Sequence, residues 1–135
     1  MRYRIISAFI VLSLALGLLF YGSACKVEPH KTTWPSLRLA GTFTGDQTCL
    51  LASIQTNTII IVATDDSTVS VTNLYGLGKS VTGKVVHDSC TISPQICDTV
   101  VMQGLLILSG DSINLSIIAS SFGREDKCNA VLIKQ

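Results

Sequence analysis

The chain has 135 residues, of which 47% are hydrophobic and only 14% are charged, and its formal net charge at pH 7 is +1. This near-neutral composition provides no basic surface of the kind that binds nucleic acid. The low charge and the many Ile, Val, Leu, Thr and Ser residues argue against intrinsic disorder. The length is that of one ordinary domain.

Residues 1–24 have the pattern of a secretory signal peptide. Arg2 and Arg4 give a positive start, the uncharged stretch 5–21 follows, and the small residues 22–24 end the segment. A membrane-spanning helix needs roughly 20 apolar residues, whereas this stretch is shorter and leads into residues that a signal peptidase accepts. The pattern therefore favours a helical leader that is removed over a retained membrane span.

Cys25 directly follows the small residues. The sequence "GSAC" at 22–25 resembles the lipobox of bacterial lipoproteins, and Gly22 is compatible with the looser lipoboxes of Bacteroidetes. The resemblance implies that Cys25 becomes the acylated N-terminus. Each methylene group that an acyl chain buries in the bilayer contributes about 0.8 kcal/mol of binding free energy, so two or more chains give stable attachment. Lys26 and Glu28 resemble an outer-membrane export signal of such lipoproteins. The alternative is an ordinary secretory cleavage site with an unmodified cysteine.

Four cysteines remain for the exported domain: Cys49, Cys90, Cys97 and Cys128. An even number in an exported chain is typical of disulfides, and four cysteines allow three connectivities. Because only the short loop 91–96 separates Cys90 from Cys97, we predict that these two are bonded, which leaves Cys49 to pair with Cys128. No Cys-x-x-Cys pair supports a zinc site, so we predict neither a metal nor a cofactor.

The rest of the chain reads as a tether followed by a β domain. The stretch 25–38 contains prolines and mixed charges, which indicates a tether, and the β domain is predicted at 39–135. Its short β-branched runs are divided by Gly, Asp, Asn and Ser, as in an antiparallel meander. The predicted strands are 39–44, 49–55, 58–64, 68–73, 80–87, 99–103, 105–109, 112–120 and 128–134.

A meander of this length is expected to close on itself, because closure removes unpaired strand edges. We therefore predict an all-β chain that forms a small antiparallel β-barrel, with a β-sandwich as the alternative. The run Gly41-Thr42-Phe43 resembles the Gly-x-Trp opening of lipocalins, and the turn and strand pattern of residues 40–134 looks like that of small Bacteroidetes lipoproteins. The resemblance implies a lipocalin-like architecture and carries no chemistry with it.

Two short motifs resemble catalytic or nucleotide-binding sites. The run 87–89 contains the three residue types of a hydrolase triad, but neighbours on a strand point to opposite faces and cannot converge. The run 76–80 resembles the end of a P-loop but lacks its first glycine and the following helix. We therefore predict no catalytic residue and no enzymatic activity.

Three hydroxyl residues, Ser67, Thr99 and Ser112, follow aspartates in a pattern that resembles Bacteroidetes O-glycosylation sites, and a turn that enters a strand has the same pattern. The function we predict is a non-enzymatic envelope lipoprotein. Its acyl chains would anchor it, with outer membrane as the predicted location, and its domain would serve as a structural or interaction module for an envelope protein partner. The alternative is a lipocalin-like carrier with a small apolar ligand inside the barrel.

Overall fold

The computed structural model describes residues 34–135, which form a closed antiparallel barrel of eight strands preceded by one short helix. The predicted leader, the predicted lipid site at Cys25 and the first part of the predicted tether lie outside these residues. The all-β, lipocalin-like barrel is confirmed, and the sandwich is not formed. The elements are α1 Pro35–Leu39, β1 Gly41–Cys49, β2 Gln55–Ala63, β3 Thr68–Thr72, β4 Ser80–Val86, β5 Ser89–Cys97, β6 Val100–Ser109, β7 Ser112–Ser121 and β8 Arg124–Lys134.

Each strand pairs with the next in chain order, and β8 pairs with β1 to complete the barrel. The loops 50–54, 73–79, 98–99 and 122–123 consequently share one end of the barrel, here called the open end. The other end, here called the closed end, carries α1. This helix has Pro35 in its first turn, where proline needs no hydrogen-bond partner. Leu39 is fully buried, and the Ser36 N–H donates to the Asp66 carbonyl at 3.3 Å.

The barrel interior is filled by inward-pointing side chains from all eight strands. In β7, Ile113, Leu115 and Ile117 are at most 2% exposed and alternate with outward polar residues, which confirms the predicted alternation. An eight-stranded barrel is just wide enough for its own side chains to fill. The core consists of Leu39, Phe43, Ile59, Ile61, Val69, Val71, Leu74, Val81, Val85, Cys90, Ile92, Cys97, Met102, Leu106, Ile113, Leu115, Ile117, Cys128, Ala130 and Leu132.

Apart from differences at the ends of several strands, three segments differ from the predicted strands. The stretch 50–54 is an exposed loop rather than a strand, and 91–96, predicted as a loop, belongs to β5. Pro94 lies where the pairing of β5 with β6 shifts register between Ile92 and Gln95, and a proline without an N–H fits such a bulge. The predicted strands 99–103 and 105–109 are one strand, β6. The end of the predicted tether also differs, since it forms most of α1.

Within residues 34–135, no helix has the length and apolar character needed to cross a bilayer.

One of the two predicted disulfides is present. Cys49 and Cys128 are bonded and lie directly opposite each other on β1 and β8, so the bond reinforces the pair of strands that closes the barrel. The predicted Cys90–Cys97 bond is wrong, because both residues are free and buried on the same strand, β5. Seven residues of strand span roughly 20 Å. The Cys90 thiol instead fills the space left by Gly83, where an added Cβ would lie 2.3 Å from its Sγ.

These two thiols are expected to be unreactive in the folded protein. Burial raises the pKa of Cys90 to about 11, and the thiolate is the reactive species. In a Cys25→Ala variant without reductant, a thiol reagent should label two cysteines after unfolding and hardly any before. The absence of labelling in the unfolded chain would instead show that Cys90 and Cys97 are bonded.

Candidate functional site

The open end of the barrel has the features of a binding site, because barrel mouths are a common location for ligands. A side-chain bridge spans it: the Tyr75 hydroxyl donates to Asp126 Oδ2 at 2.6 Å. Asp126 points inward from β8 and is 4% exposed, whereas Tyr75 comes from the loop after β3. Tyr75 lines both of two clefts that differ in chemistry.

The Asp126 carboxylate also holds the loop between β1 and β2, because its Oδ1 accepts the Leu51 N–H at 2.9 Å. The Tyr75 hydroxyl and the backbone N–H groups of this loop lower the pKa of Asp126 below its ordinary 3.8, although burial opposes them. The same hydrogen bond, together with burial, raises the pKa of Tyr75 to about 12. At neutral pH the pair is therefore a fixed carboxylate and a fixed phenol, which suits a structural bridge and not proton transfer.

The first cleft, here called the amide cleft, has a volume of about 550 Å³. Asn57 Nδ2 donates to Gln47 Oε1 at 2.9 Å, and Asn73 Nδ2 donates to Asn57 Oδ1 at 3.0 Å. Gln47 and Asn57 are 5% and 7% exposed. Because these buried amides satisfy one another, the cleft has a polar but uncharged floor.

The second cleft, here called the Phe122 cleft, has a volume of about 360 Å³. Its lining includes the side chains of Leu51, Tyr75, Val100, Phe122 and Arg124. Phe122 and Leu51 are 90% and 66% exposed. This cleft therefore combines exposed apolar side chains with a cation, and the Asp126 carboxylate that binds Tyr75 also lines it.

A third depression, of about 670 Å³, lies on the outer wall of the barrel. Leu105 and Ile107 on β6 and Val131 on β8 project outward beside it, while Asn114 and Asn129 contribute polar groups. Its lining also includes Leu115 and Ala130, which belong to the core.

The structure does not bring the predicted modification residues together. Ser67 and Ser112 lie at the closed end, where Ser112 Oγ donates to the Ser109 carbonyl at 2.9 Å. Thr99 is exposed in the hairpin turn at the open end. All three occupy turns or strand starts, as the simpler interpretation expects, and their glycosylation stays a prediction.

The residues of the triad-like run lie at the closed end. His87 is in the turn between β4 and β5 with a φ of +54°, and Asp88 forms a salt bridge of 2.7 Å with Arg38 of α1. Asp88 thus contacts the short helix instead of orienting a histidine.

One group of metal-type ligands occurs in the part of the chain that the structure describes. The ligand atoms of Cys49, Asp126 and Cys128 all lie within 4.8 Å of one another. The two sulfurs are joined in the disulfide, so neither is a thiolate that could hold a metal.

Sequence reasoning did not identify the Tyr75–Asp126 bridge, because the two residues are 51 positions apart. It also missed the role of Leu51, which was placed on a strand.

The sequence did contain a signal for the turn at Phe122-Gly123. A glycine-containing pair of residues between two β-branched runs predicts a hairpin, and asparagine is the usual residue at the first position of such a turn. No protein-family model matches this chain, and no curated protein matches it.

Proposed function

We propose that this protein is a non-enzymatic lipoprotein of the cell envelope, held by acyl chains on Cys25, with the outer membrane as its location. Its barrel would be a structural or interaction module that works through its surface. The observation that carries the proposal is the filled interior: the inward side chains of the core are at most 8% exposed, whereas the loop side chains Leu50 and Phe122 are 74% and 90% exposed. Exposed apolar side chains that form a contiguous patch on the surface are typical of interaction sites.

The alternative, a carrier of a small apolar ligand, would need space inside the barrel. Phe43, Met102 and Leu106 are at most 1% exposed and occupy that space. Protein interiors are close-packed, so a ligand could enter only if such side chains moved apart. The surface-acting module needs no such rearrangement.

The point where the chain enters the barrel indicates which end of the domain an anchor would connect to. Eight residues separate Cys25 from Trp34, and the nine extended steps between their Cα atoms reach at most about 30 Å. The described chain begins beside α1 at the closed end. An anchor on Cys25 would therefore connect to the barrel at its closed end, opposite the loops of the open end.

Anchoring can be tested by growing the native host with an alkyne-tagged fatty acid. The wild-type protein should carry the tag and sediment with outer membranes, and a Cys25→Ser variant should lose both properties. Because the variant could be poorly processed, mass spectrometry of the wild-type N-terminal peptide provides a second readout, in which Cys25 should be the first residue and acylated. An unmodified Cys25 in the mature protein would refute the anchor.

A further inference from the structure

Phe122 occupies a turn whose backbone suits a different residue. Four hairpins of the barrel have two-residue loops, and the first loop residue has a positive φ in each: +54° at His87, +57° at Asp98, +61° at Gly110 and +50° at Phe122. Glycine, aspartate and histidine tolerate this conformation, whereas it is strained for a bulky aromatic residue. Gly123 also has a positive φ, of +75°, and a turn with this pair of values is most often Asn-Gly.

The Phe122 side chain gains no compensating burial within the domain. Its 90% exposure is the highest among the large exposed hydrophobic side chains of residues 34–135. A residue that is both strained in its backbone and exposed in its ring contributes nothing to the stability of the barrel. A contact outside the domain would account for both features.

Other exposed apolar side chains lie on the neighbouring loop. Leu50, Leu51 and Ile54 are 74%, 66% and 65% exposed. They follow β1, and Phe122 precedes β8, which is the strand that pairs with β1. Leu51 and Phe122 line the same cleft. These four side chains are called the rim patch below.

The backbone of the rim patch is fixed before any partner binds. The Leu50 N–H donates to the Lys127 carbonyl at 3.2 Å, and the Leu51 N–H donates to Asp126. Next to Phe122, Ser121 Oγ donates to the Thr99 carbonyl at 3.1 Å. A preorganised surface loses less conformational entropy on binding, so its contacts convert more fully into affinity.

We infer that the rim patch is a docking surface for another envelope protein, in which a segment with apolar side chains and a carboxylate contacts Phe122, Leu51 and Arg124. An aromatic ring beside an arginine is a frequent composition of binding hot spots. Arg124 lines the cleft, and neither of the two salt bridges among residues 34–135, Arg38–Asp88 and Lys79–Asp98, engages it. Its charge is complementary to an acidic group on the partner.

The point of attachment to the membrane favours a partner protein, rather than the bilayer or a second copy of this chain, as the occupant of the rim patch. This step rests on the proposed function: the short tether from Cys25 joins the closed end, and the rim patch lies at the opposite end of the barrel. The anchoring bilayer is therefore attached at the end of the barrel that lies opposite the rim patch. Two copies anchored in one membrane would present their rim patches in the same direction, so the patches would not face each other.

The docking surface can be tested with a photo-crosslinking amino acid in the full chain, expressed in the native host. The crosslinker replaces Leu51 in the rim patch or, as a control of similar exposure, Val86 on the outer wall near the closed end; these side chains are 66% and 64% exposed. We expect a discrete protein adduct from position 51 and none of that mass from position 86. No adduct, a phospholipid adduct or a dimer of this chain at position 51 would overturn the inference.

Phe122→Asn then separates docking from folding. Asparagine suits the turn, so the melting temperature should rise by about 5 °C, while the adduct at position 51 should fall at least tenfold. His87→Asn alters the equivalent turn at the closed end and should leave the adduct unchanged. Equal adduct yields in the Phe122→Asn and wild-type chains would contradict the inference.

A synthetic peptide of the crosslinked partner segment provides the final readout. It should contain apolar residues and a carboxylate, and its affinity for the purified full-length protein should drop at least tenfold with Phe122→Asn. Arg124→Gln should weaken it and reduce its dependence on salt. A segment without an acidic group, or one whose affinity both variants preserve, would overturn the inference. Fatty-acid labelling of the same cells tests the anchor separately. If the protein carries the fatty-acid tag but its crosslinked adduct does not depend on Phe122, the docking inference is refuted and the proposed anchor is retained.

Discussion

Replacing Cys49 and Cys128 by alanine should lower the free energy of unfolding by about 4.5 kcal/mol, the entropic estimate for a loop closed across 79 residues. The bond joins β1 to β8, the two strands that are farthest apart in the sequence of the barrel and that must pair to close it. Without the bond, their pairing has to overcome the full loop-closure entropy. Since domains of this size have stabilities of about 5–15 kcal/mol, the variant should be marginally folded.

The measurement is urea unfolding of the oxidised protein, the protein reduced with a phosphine, and the double alanine variant. Reduction should lower the midpoint of the wild-type transition and leave that of the variant unchanged. This comparison controls for the loss of packing when a sulfur is removed, since Cys128 is fully buried. Equal midpoints for the oxidised and reduced wild-type protein would show that the bond does not stabilise the barrel.

Asp126→Ala is expected to cost about 3 kcal/mol, because it leaves the Tyr75 hydroxyl and the Leu51 N–H without their charged acceptor. The 50–54 loop should then exchange its amide hydrogens faster. Asp46→Ala is a matched control at the same end: Asp46 is an exposed carboxylate that accepts from Thr56 Oγ1 at 2.8 Å. Its loss should change the stability by less than about 0.5 kcal/mol. Equal effects of the two substitutions would contradict the structural role of Asp126.

The same bridge predicts a pH dependence. The folded protein lowers the pKa of Asp126 below its ordinary 3.8, so the stabilisation is complete above that value and disappears as the pH falls through the lowered pKa. The difference in unfolding free energy between wild type and Asp126→Ala should be constant near neutrality and shrink in acid. Tyr75→Phe removes the largest cause of the lowered pKa, so this variant should lose less stability in acid than the wild type does. A difference that grows in acid would have the wrong sign.

The fold was predictable from the sequence where burial alternates along a strand. Residues 112–120 were predicted as a strand from their alternating Ile and Leu, and β7 spans Ser112–Ser121. The strand β5 was missed because Pro94 and the flanking cysteines suggested a closed loop, whereas the register shift accommodates the proline. Gly104 suggested a break in β6, but it is needed inside the strand because an added Cβ would lie 2.7 Å from Ile117.

The disulfide shows a correct result reached from an incorrect premise. Cys49 was paired with Cys128 by elimination, after Cys90 had been assigned to Cys97. The structure instead bonds Cys49 to Cys128 because barrel closure places them opposite each other. Cys90 and Cys97 are close in sequence but distant in space, because both lie on the extended strand β5, which rises about 3.3 Å per residue.

The rim patch was hidden from sequence reasoning for a physical reason. Apolar residues are usually buried, so Leu50, Leu51 and Ile54 were interpreted as part of a strand, and the structure places them on an exposed loop. Only coordinates reveal that this loop lies beside the Phe122 turn. The residues most relevant to the proposed interaction are therefore those that depart from the usual relation between hydrophobicity and burial.

Native mass spectrometry tests most directly the claim that the barrel is filled and works through its surface. The Cys25→Ala form would be purified from its own host without detergent. We predict the mass of the bare polypeptide less the two hydrogens lost in the Cys49–Cys128 bond. A reproducible adduct of small-molecule size that survives gentle activation would contradict the account and make the protein a carrier.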